Sequence, residues 1–411
     1  MSNDTRSERQ RKVVKKWIEN GYRGTAAWCT GSGKTRIAII AIKSFLSTNS
    51  NKNIKVIVPT EYLKMQWISE LSQYFLNNYV KVEIINTAIK TSEVVDLMIL
   101  DECHRYAAET FIEVFNKKNP RMVLGLSATF SRLDGRHKLL ERYCPVIDTV
   151  TIREAIDKGW VSNYVEYKVN IEVDDIEEYK EASREFSSMF SMFDYDFNLA
   201  MSCVTNIVKR RTYAKKMGIP HGEMDAITFS WLRSMKARKA FVLNHPKKIE
   251  ITRKILNARP FSKAITFSGT IKQAEKIGIG HVLHSGKTKK KNRLTMEEFN
   301  QLPSGVLSTS KKLDEGADIQ GLNLAVILSN SSSKTQKTQR IGRAIRFEEG
   351  KTAEIFTLVI KDTVENNWFL NSSEGNLYIE INEQELDEVL AGKEIELNEQ
   401  EGREVDEAFR M

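Results

Sequence analysis

Long apolar runs, paired cysteines and internal repeats are all missing from this 411-residue chain. No stretch approaches the ~20 consecutive apolar residues that a membrane-crossing helix needs, so a helical membrane protein is excluded and no membrane partner is expected. Met1 to Lys16 is polar and basic and has no apolar h-region that would mark secretion, so a cytoplasmic, intracellular location is expected. The four cysteines, Cys29, Cys103, Cys144 and Cys203, stand far apart and form no CxxC pair, which argues against a disulfide framework or a cysteine-based zinc site. No low-complexity segment interrupts the chain. Its 41% hydrophobic content suits ordinary folded domains, two or three of them at roughly 150 residues each.

Charge is unevenly distributed. Glu374 to Met411 holds 13 acidic and 3 basic residues, a net of −10, against +8 for the whole chain; the first 373 residues therefore carry +18. A body this basic is the electrostatic footprint of a polyanion binder. The acidic end reads as a helix or a partly disordered tail that could contact a protein partner.

Apolar runs bounded by polar residues at Ile54–Val58, Val80–Ile85, Leu97–Leu100 and Met122–Leu126 predict buried strands. Helical spacing lies between them, at Arg36–Leu46 and Glu61–Phe75. This alternation predicts a parallel α/β domain over residues 1–150. Residues 151–256 differ in texture: apart from a possible strand at Tyr164–Val169 they have helical spacing, as in Ile176–Met192. Met201–Pro260 holds 14 Lys or Arg against 3 acidic residues, so this region reads as a basic, mainly helical insertion. The alternating pattern resumes at Lys263–Phe267, Gly305–Ser308, Ala325–Ser329 and Ala353–Val359. A second α/β domain is therefore expected over 257–365, with an acidic tail over 366–411.

Two motifs carry chemistry. Cys29-Thr30-Gly31-Ser32-Gly33-Lys34-Thr35 lies between an apolar run and an apolar helix. Gly31 and Gly33 let the backbone turn so that N–H groups face phosphate oxygens at a helix N-terminus. Lys34 reaches the β- and γ-phosphates and the Thr35 hydroxyl ligates Mg²⁺. The general pattern places glycine at position 28, where this chain has Trp28. The second motif, Asp101-Glu102-Cys103-His104, begins 66 residues after Thr35, directly behind the strand ending at Leu100. Carboxylates at a strand's C-terminal end lie where α/β sheets bind ligands. Asp101 is placed to hold Mg²⁺ through water, and Glu102 to orient and deprotonate the attacking water. ATP and Mg²⁺ are the cofactors this pair of motifs calls for.

With these motifs in place, the chain resembles a superfamily 2 helicase over about residues 6 to 360. That resemblance implies two tandem RecA-like parallel-sheet domains. Ser127-Ala128-Thr129 resembles the motif that couples hydrolysis to domain movement. Val58-Pro59-Thr60, with Gln66-Trp67 downstream, resembles the segment that grips a strand's backbone. Gln10 is placed like the glutamine that reads adenine, and Thr30 to Thr35 would hold the phosphates. Gln339-Arg340-Ile341-Gly342-Arg343-Ala344-Ile345-Arg346 matches the family's QxxGRxxR pattern, which makes Gln339, Arg343 and Arg346 catalytic candidates, the two arginines as fingers. Glu315-Gly316-Ala317-Asp318 fits the preceding motif, Gly316 allowing close approach and Asp318 contacting ribose or the motif arginines. The run from Ser127 to Gly135, with Phe130 in place of proline, resembles XPB-type, UvsW-type and restriction-subunit translocases. Among these, compact size and a single helical insertion resemble phage-encoded branch-migration DNA helicases.

The resemblance implies an ATP-dependent DNA helicase or translocase, acting as a monomer on single-stranded, forked or branched DNA. Short polar groups suited to phosphate oxygens are Thr60, Thr87, Ser268, Gly269, His284, Ser285 and Thr309. In the insertion, Lys209, Arg210 and Arg211 could hold phosphates, and Tyr213, Phe229, Trp231 and Phe241 could stack on bases. A duplex translocase that does not unwind, an RNA helicase and a nucleotide-gated DNA clamp stay open as alternatives.

Overall fold

The structure, a computed structural model, describes residues 2–48, 53–107, 109–128, 137–310, 319, 321–344, 351–374, 376–393 and 399–401. In the first part, α1 (Ser2–Glu19) leads into β1 (Arg23–Trp28), α2 (Lys34–Thr48), β2 (Ile54–Val58), α3 (Glu61–Gln73), β3 (Val80–Ile84) and α4 (Ile85–Ala88). Then come β4 (Leu97–Asp101), α5 (Glu109–Lys118), β5 (Met122–Ser127), α6 (His137–Glu141), β6 (Val146–Val150) and α7 (Ile152–Asp157). The six strands form one sheet in the order β3-β2-β4-β5-β1-β6, and every pairing is parallel. β2 is buried along its whole length, as a strand covered by helices on both faces must be.

β7 (Asn163–Ile171) opens the second part, followed by α8 (Ile176–Ser191), α9 (Phe197–Thr205), α10 (Ile207–Met217), α11 (His221–Asn244) and α12 (Pro246–Ala258). Next are β8 (Lys263–Ser268), α13 (Ile271–Ile277), β9 (His281–Leu283), α14 (Lys289–Gln301), β10 (Gly305–Ser310), β11 (Leu324–Ile327) and α15 (Lys334–Ala344). The chain continues with β12 (Thr352–Ile360), α16 (Val364–Ser372), β13 (Leu377–Ile381), α17 (Glu383–Leu390) and β14 (Glu399–Glu401). The second sheet runs β14-β13-β7-β12-β11-β8-β10-β9, parallel except for the outermost pair β13–β14.

Both sheets are parallel α/β, as the alternation predicts, and fit the tandem RecA-like arrangement that the resemblance implies, but the segments around the second differ from expectation. β7 pairs with β12 over nine residues, from Asn163↔Thr352 to Ile171↔Ile360, so it belongs to the second sheet rather than to the insertion. α12 buries Ile249, Ile251, Ile255 and Leu256 in the core beneath that sheet. The helical insertion is α8 to α11, with its own aromatic core of Phe186, Phe190, Phe193, Tyr213 and Trp231. The acidic end is not wholly a tail either. β13 pairs with β7, and α17 buries Leu386 and Val389. Its charge misleads because Leu377-Tyr378-Ile379-Glu380-Ile381 is a short strand in which Glu380 is paired with Lys168. β6, β9 and β14, none longer than five residues, are absent from the sequence pattern.

One apolar cluster joins the two sheets. It extends from Trp17, Ile37 and Leu126 through Trp160 and Val161 to Ile265, Phe267 and Ile341. No helix among the described residues is long and apolar enough to cross a membrane.

Candidate nucleotide site and nucleic-acid face

Because the first sheet is parallel throughout, Trp28, Val58, Ile84, Asp101 and Ser127 all end strands on one edge. The loop after β1 turns through Gly31 at φ +82° and Gly33 at φ +95°, both in the left-handed region open to glycine. The Ser32 hydroxyl donates to Cys29 O at 2.6 Å and fastens the turn. The Lys34 ammonium donates to Trp28 O at 2.9 Å and Cys29 O at 3.3 Å, so it is held at the loop by backbone carbonyls.

α1 lies over this loop. Gln10, the expected adenine reader, donates to Gly33 O at 3.1 Å. Arg6 donates to Gly31 O at 2.7 Å and Ser32 O at 2.9 Å. A Cβ on Gly33 would come within 2.5 Å of Gln10 Nε2 and 2.8 Å of Arg6 Nη2. Arg6, which the sequence reading does not single out, is thus a second side chain of α1 that holds the loop. Its signal is there: it stands one helical turn before Gln10, on the same face. Behind the loop, Trp28 stacks on Trp160 at 5.4 Å between centroids and donates through Nε1 to Asp148. The bulky residue in the glycine position thus packs into the core and leaves the turn intact.

At the end of β4, Asp101 Oδ2 accepts the indole N–H of Trp67 at 2.8 Å, and Oδ1 accepts the backbone N–H of Glu102 at 3.0 Å. Burial, reinforced by the Glu102 charge, pushes the Asp101 carboxyl up to about 6, against the pull of Trp67 and Lys34. Glu102 adopts φ +49°, a strained value for a residue with a side chain. Its Oε2 is buried without a hydrogen bond and lies 3.5 Å from His104 Nδ1. The same His104 nitrogen lies 2.8 Å from the Ser127 hydroxyl, which ties the acidic motif to Ser127-Ala128. Thr129 lies outside the described residues.

The second sheet meets this loop directly. α15 carries Gln339, Gly342 and Arg343, and a Cβ on Gly342 would lie 2.3 Å from Thr30 Cβ. The Thr30 hydroxyl is buried there without a hydrogen-bond partner. α15 is held in this seat by Arg340, which donates to Ser329 O at 2.6 Å and lies over the Phe267 ring, and by Lys337, paired with Glu166 at 2.7 Å. Arg346, Gly316 and Asp318 lie outside the described residues, as does the side chain of Arg343.

These groups fit a magnesium nucleotide. The loop supplies left-handed glycines at a helix N-terminus. Thr35 and Asp101 could hold Mg²⁺, and Thr30 and Glu102 each have a buried oxygen awaiting a partner. No cluster of three or more His, Cys, Asp or Glu that could hold a metal occurs among the described residues. Two protein groups plus phosphate oxygens and water suit Mg²⁺, which dehydrates reluctantly.

The expected nucleic-acid contacts divide. Thr60 caps α3, its hydroxyl accepting Leu63 N–H at 3.3 Å, and Thr87 and Ser285 are exposed. Ser268, His284 and Thr309, and Gly269 beside them, are buried, so the expectation that they face phosphates is corrected. Near that edge Thr270, the cap of α13, is half-buried and Ser285 is exposed. In the insertion Lys209 and Arg211 are exposed, as are Lys215 and Lys216, and no ion pair joins these four among the described residues. Arg210 is a correction. It is buried, donates to Asp225 Oδ1 at 2.5 Å and Cys203 O at 2.6 Å, and lies over the Phe229 ring. Tyr213 and Trp231 are also buried, in the insertion's core, and cannot stack on bases, whereas Phe229 is exposed.

Comparison with known proteins accords with this geometry. Residues 4–94 and 86–132 match the family described as type III restriction enzyme, res subunit, and residues 247–348 match the helicase conserved C-terminal domain. The chain is 24% identical to the DNA 3'-5' translocase XPB2 of Sulfurisphaera tokodaii, over 87% of this chain and 82% of that one. It is 22% identical to the putative ATP-dependent RNA helicase L396 of Acanthamoeba polyphaga mimivirus, over 82% of this chain and 60% of the relative. The fold is similar to the Hef helicase domain of Pyrococcus furiosus, with a TM-score of 0.53 and 17% identity, over 90% of this chain and 97% of that one. Both halves of the helicase machinery are matched, the helix that bears Gly342 in the second is seated on the loop of Thr30 in the first, and together these matches support an ATP-using helicase or translocase of superfamily 2.

Proposed function

We propose that this chain is an ATP-driven DNA motor that unwinds or remodels forked and branched DNA, as in branch migration. The observation that carries the reading is the contact of Gly342 with Thr30, which makes the nucleotide site a property of both sheets at once. Arg6 and Gln10 hold the loop so that its N–H groups face the phosphates. Lys34 leaves the carbonyls of Trp28 and Cys29 for the β- and γ-phosphates. Thr35 and Asp101 hold the metal, which when bound neutralises charge on phosphate oxygens. Glu102 orients the attacking water and takes its proton. Arg343 and Arg346, as the family pattern implies, stabilise charge developing on the transferred phosphoryl group together with Gln339, and Gly316 and Asp318 serve the same nucleotide.

Thr60, Thr87, Thr270 and Ser285 then hold one strand by its phosphates on both sheets, without reading bases. Closure around ATP and release after hydrolysis, passed on through Ser127, Ala128 and Thr129, alternate the two grips and move the strand. Lys209, Arg211, Lys215 and Lys216 grip the arms of a fork. A relative named as a DNA translocase supports DNA as substrate. A relative named as a putative RNA helicase favours RNA as the second reading.

The test is ATP hydrolysis by wild type and Glu102→Gln with no nucleic acid, single-stranded DNA, forked or four-way DNA, and matched RNA. Stimulation greatest with branched DNA and abolished in Glu102→Gln is expected. Stimulation by RNA alone would overturn the substrate, and turnover surviving Glu102→Gln would overturn the site.

A further inference from the structure

α3 touches both ends of the proposed motor. It starts at the Thr60 cap, on the edge where the strand's phosphates are proposed to lie, and two helical turns later it presents Trp67. Trp67 is 3% exposed and packs in the same apolar cluster as Leu63 and Leu71 of its own helix. Its indole N–H points out of that cluster to Asp101 Oδ2, at 2.8 Å. The other carboxylate oxygen is fixed by the Glu102 backbone N–H. The metal carboxylate is thus oriented from two sides, once by its own strand end and once by the helix that begins at the strand-gripping turn.

An indole has two side-chain torsions and one donor, so a buried Trp converts the position of its helix into the direction of a single hydrogen bond. Hydrogen bonds weaken steeply with angle and stretch, so a small displacement of α3 changes how firmly Asp101 is held. We propose that Trp67 is the positioning residue for Asp101, and that through it α3 passes occupancy of the nucleic-acid strand to the carboxylate that holds the metal. This rests on the assignment of Asp101 and Thr60 under the proposed function. It predicts that metal–nucleotide binding and strand binding are coupled before any chemistry takes place. The coupling is reciprocal, as linkage requires.

The experiment is equilibrium binding on the full chain, with Mn²⁺ and a non-hydrolysable ATP analogue followed by electron paramagnetic resonance, with and without single-stranded DNA. Four proteins are compared: wild type, Trp67→Phe, a chain with a benzothiophene in place of the indole at position 67, and Asp101→Asn. The benzothiophene keeps the ring's shape and removes the N–H donor, so it reports even if Trp67→Phe folds poorly. Loss of a hydrogen bond to a charged group should weaken Mn²⁺ binding about tenfold in both ring variants. The change in affinity that DNA causes in the wild type should shrink toward none. A benzothiophene chain that binds Mn²⁺ and responds to DNA as the wild type does would overturn the role of Trp67, as would a wild type with no DNA response. Asp101→Asn separates the two levels. Unweakened metal binding there would overturn the assignment of Asp101 itself, whereas weakened binding there with an unaltered benzothiophene chain overturns the positioning role alone.

Discussion

The nucleotide cleft and the helical insertion both gather cations on helices, and they use them in opposite ways. In the cleft, cations turn onto backbone carbonyls: Arg6 onto Gly31 and Ser32, Lys34 onto Trp28 and Cys29, Arg340 onto Ser329. Arg6 and Arg340 each pin a piece of backbone, whereas Lys34 is held by the loop until, on the proposed function, it turns to the phosphates. In the insertion, Lys209, Arg211, Lys215 and Lys216 face solvent, in a stretch without acidic residues from Phe197 to Gly222. There the exception is Arg210, which has become part of the module's interior. The cleft is built by position, so single substitutions should be severe. The insertion's outer face is built by charge, so effects there should be graded and sensitive to salt.

The largest effect should come from Gly342→Ala. Its methyl group would meet Thr30 Cβ and push α15 off the phosphate loop. A misplacement of about 1 Å costs roughly 100-fold in rate, so steady-state DNA-stimulated ATPase should fall by about that much. Thr30→Gly in the same chain should recover part of the loss. A Gly342→Ala enzyme with normal turnover would mean that the seated arrangement has no part in catalysis.

Arg6→Gln comes next. It removes two charge-assisted bonds to the loop without touching the reacting atoms, so KM for ATP should rise about tenfold with kcat little changed. A fall in kcat at constant KM would instead place Arg6 in the transition state.

In the insertion, charge reversal at Lys209, Arg211 and Lys215 should weaken fork binding. It should also flatten the plot of log affinity against log salt, by close to one unit for each phosphate that is no longer held. Arg210→Ala should leave that slope alone and lower the thermal midpoint instead. If Arg210→Ala flattens the slope as much as the surface variants do, the contrast between buried and exposed cations fails.

The smallest effect lies far from both regions. Burial opposes it, but hydrogen bonds from Lys118, Lys55 and Asn53 hold the Glu93 carboxyl down at about 2. A depressed carboxylate stabilises the fold above its unfolded value, near 4.3, and loses that contribution as pH falls toward its folded value. Thermal melts should thus show stability declining between about pH 4.5 and 2, and Glu93→Gln should flatten that decline. Because Glu93 is partly exposed, its effect at pH 7 should be only about 1 kcal/mol.

What could be read in the sequence follows the same division. The phosphate loop, the acidic pair and the arginine motif stand out in the sequence because each sets particular residues at a fixed spacing, and the parallel sheet brings the first two to one edge. The two-sheet architecture was legible from apolar alternation. Which side of a helix faces inward was harder. Arg210 looks like its neighbours Lys209 and Arg211, and only packing against Phe229 and Asp225 distinguishes it. The acidic end concealed β13, since Glu380 meets Lys168, a partner 212 residues away. Trp67 is visible as part of a motif, but its bond to Asp101 depends on a meeting of α3 with the end of β4 that no local pattern encodes.

The central claim, that hydrolysis between the two sheets moves the protein along DNA, is tested most directly by roadblock displacement. A protein is bound tightly to one arm of a forked DNA, and its release is followed with ATP, with a non-hydrolysable analogue, and with Glu102→Gln. Release that requires ATP and is lost in Glu102→Gln is the predicted result. Active hydrolysis on the same DNA with no release of the roadblock would contradict the account and describe a nucleotide-gated clamp.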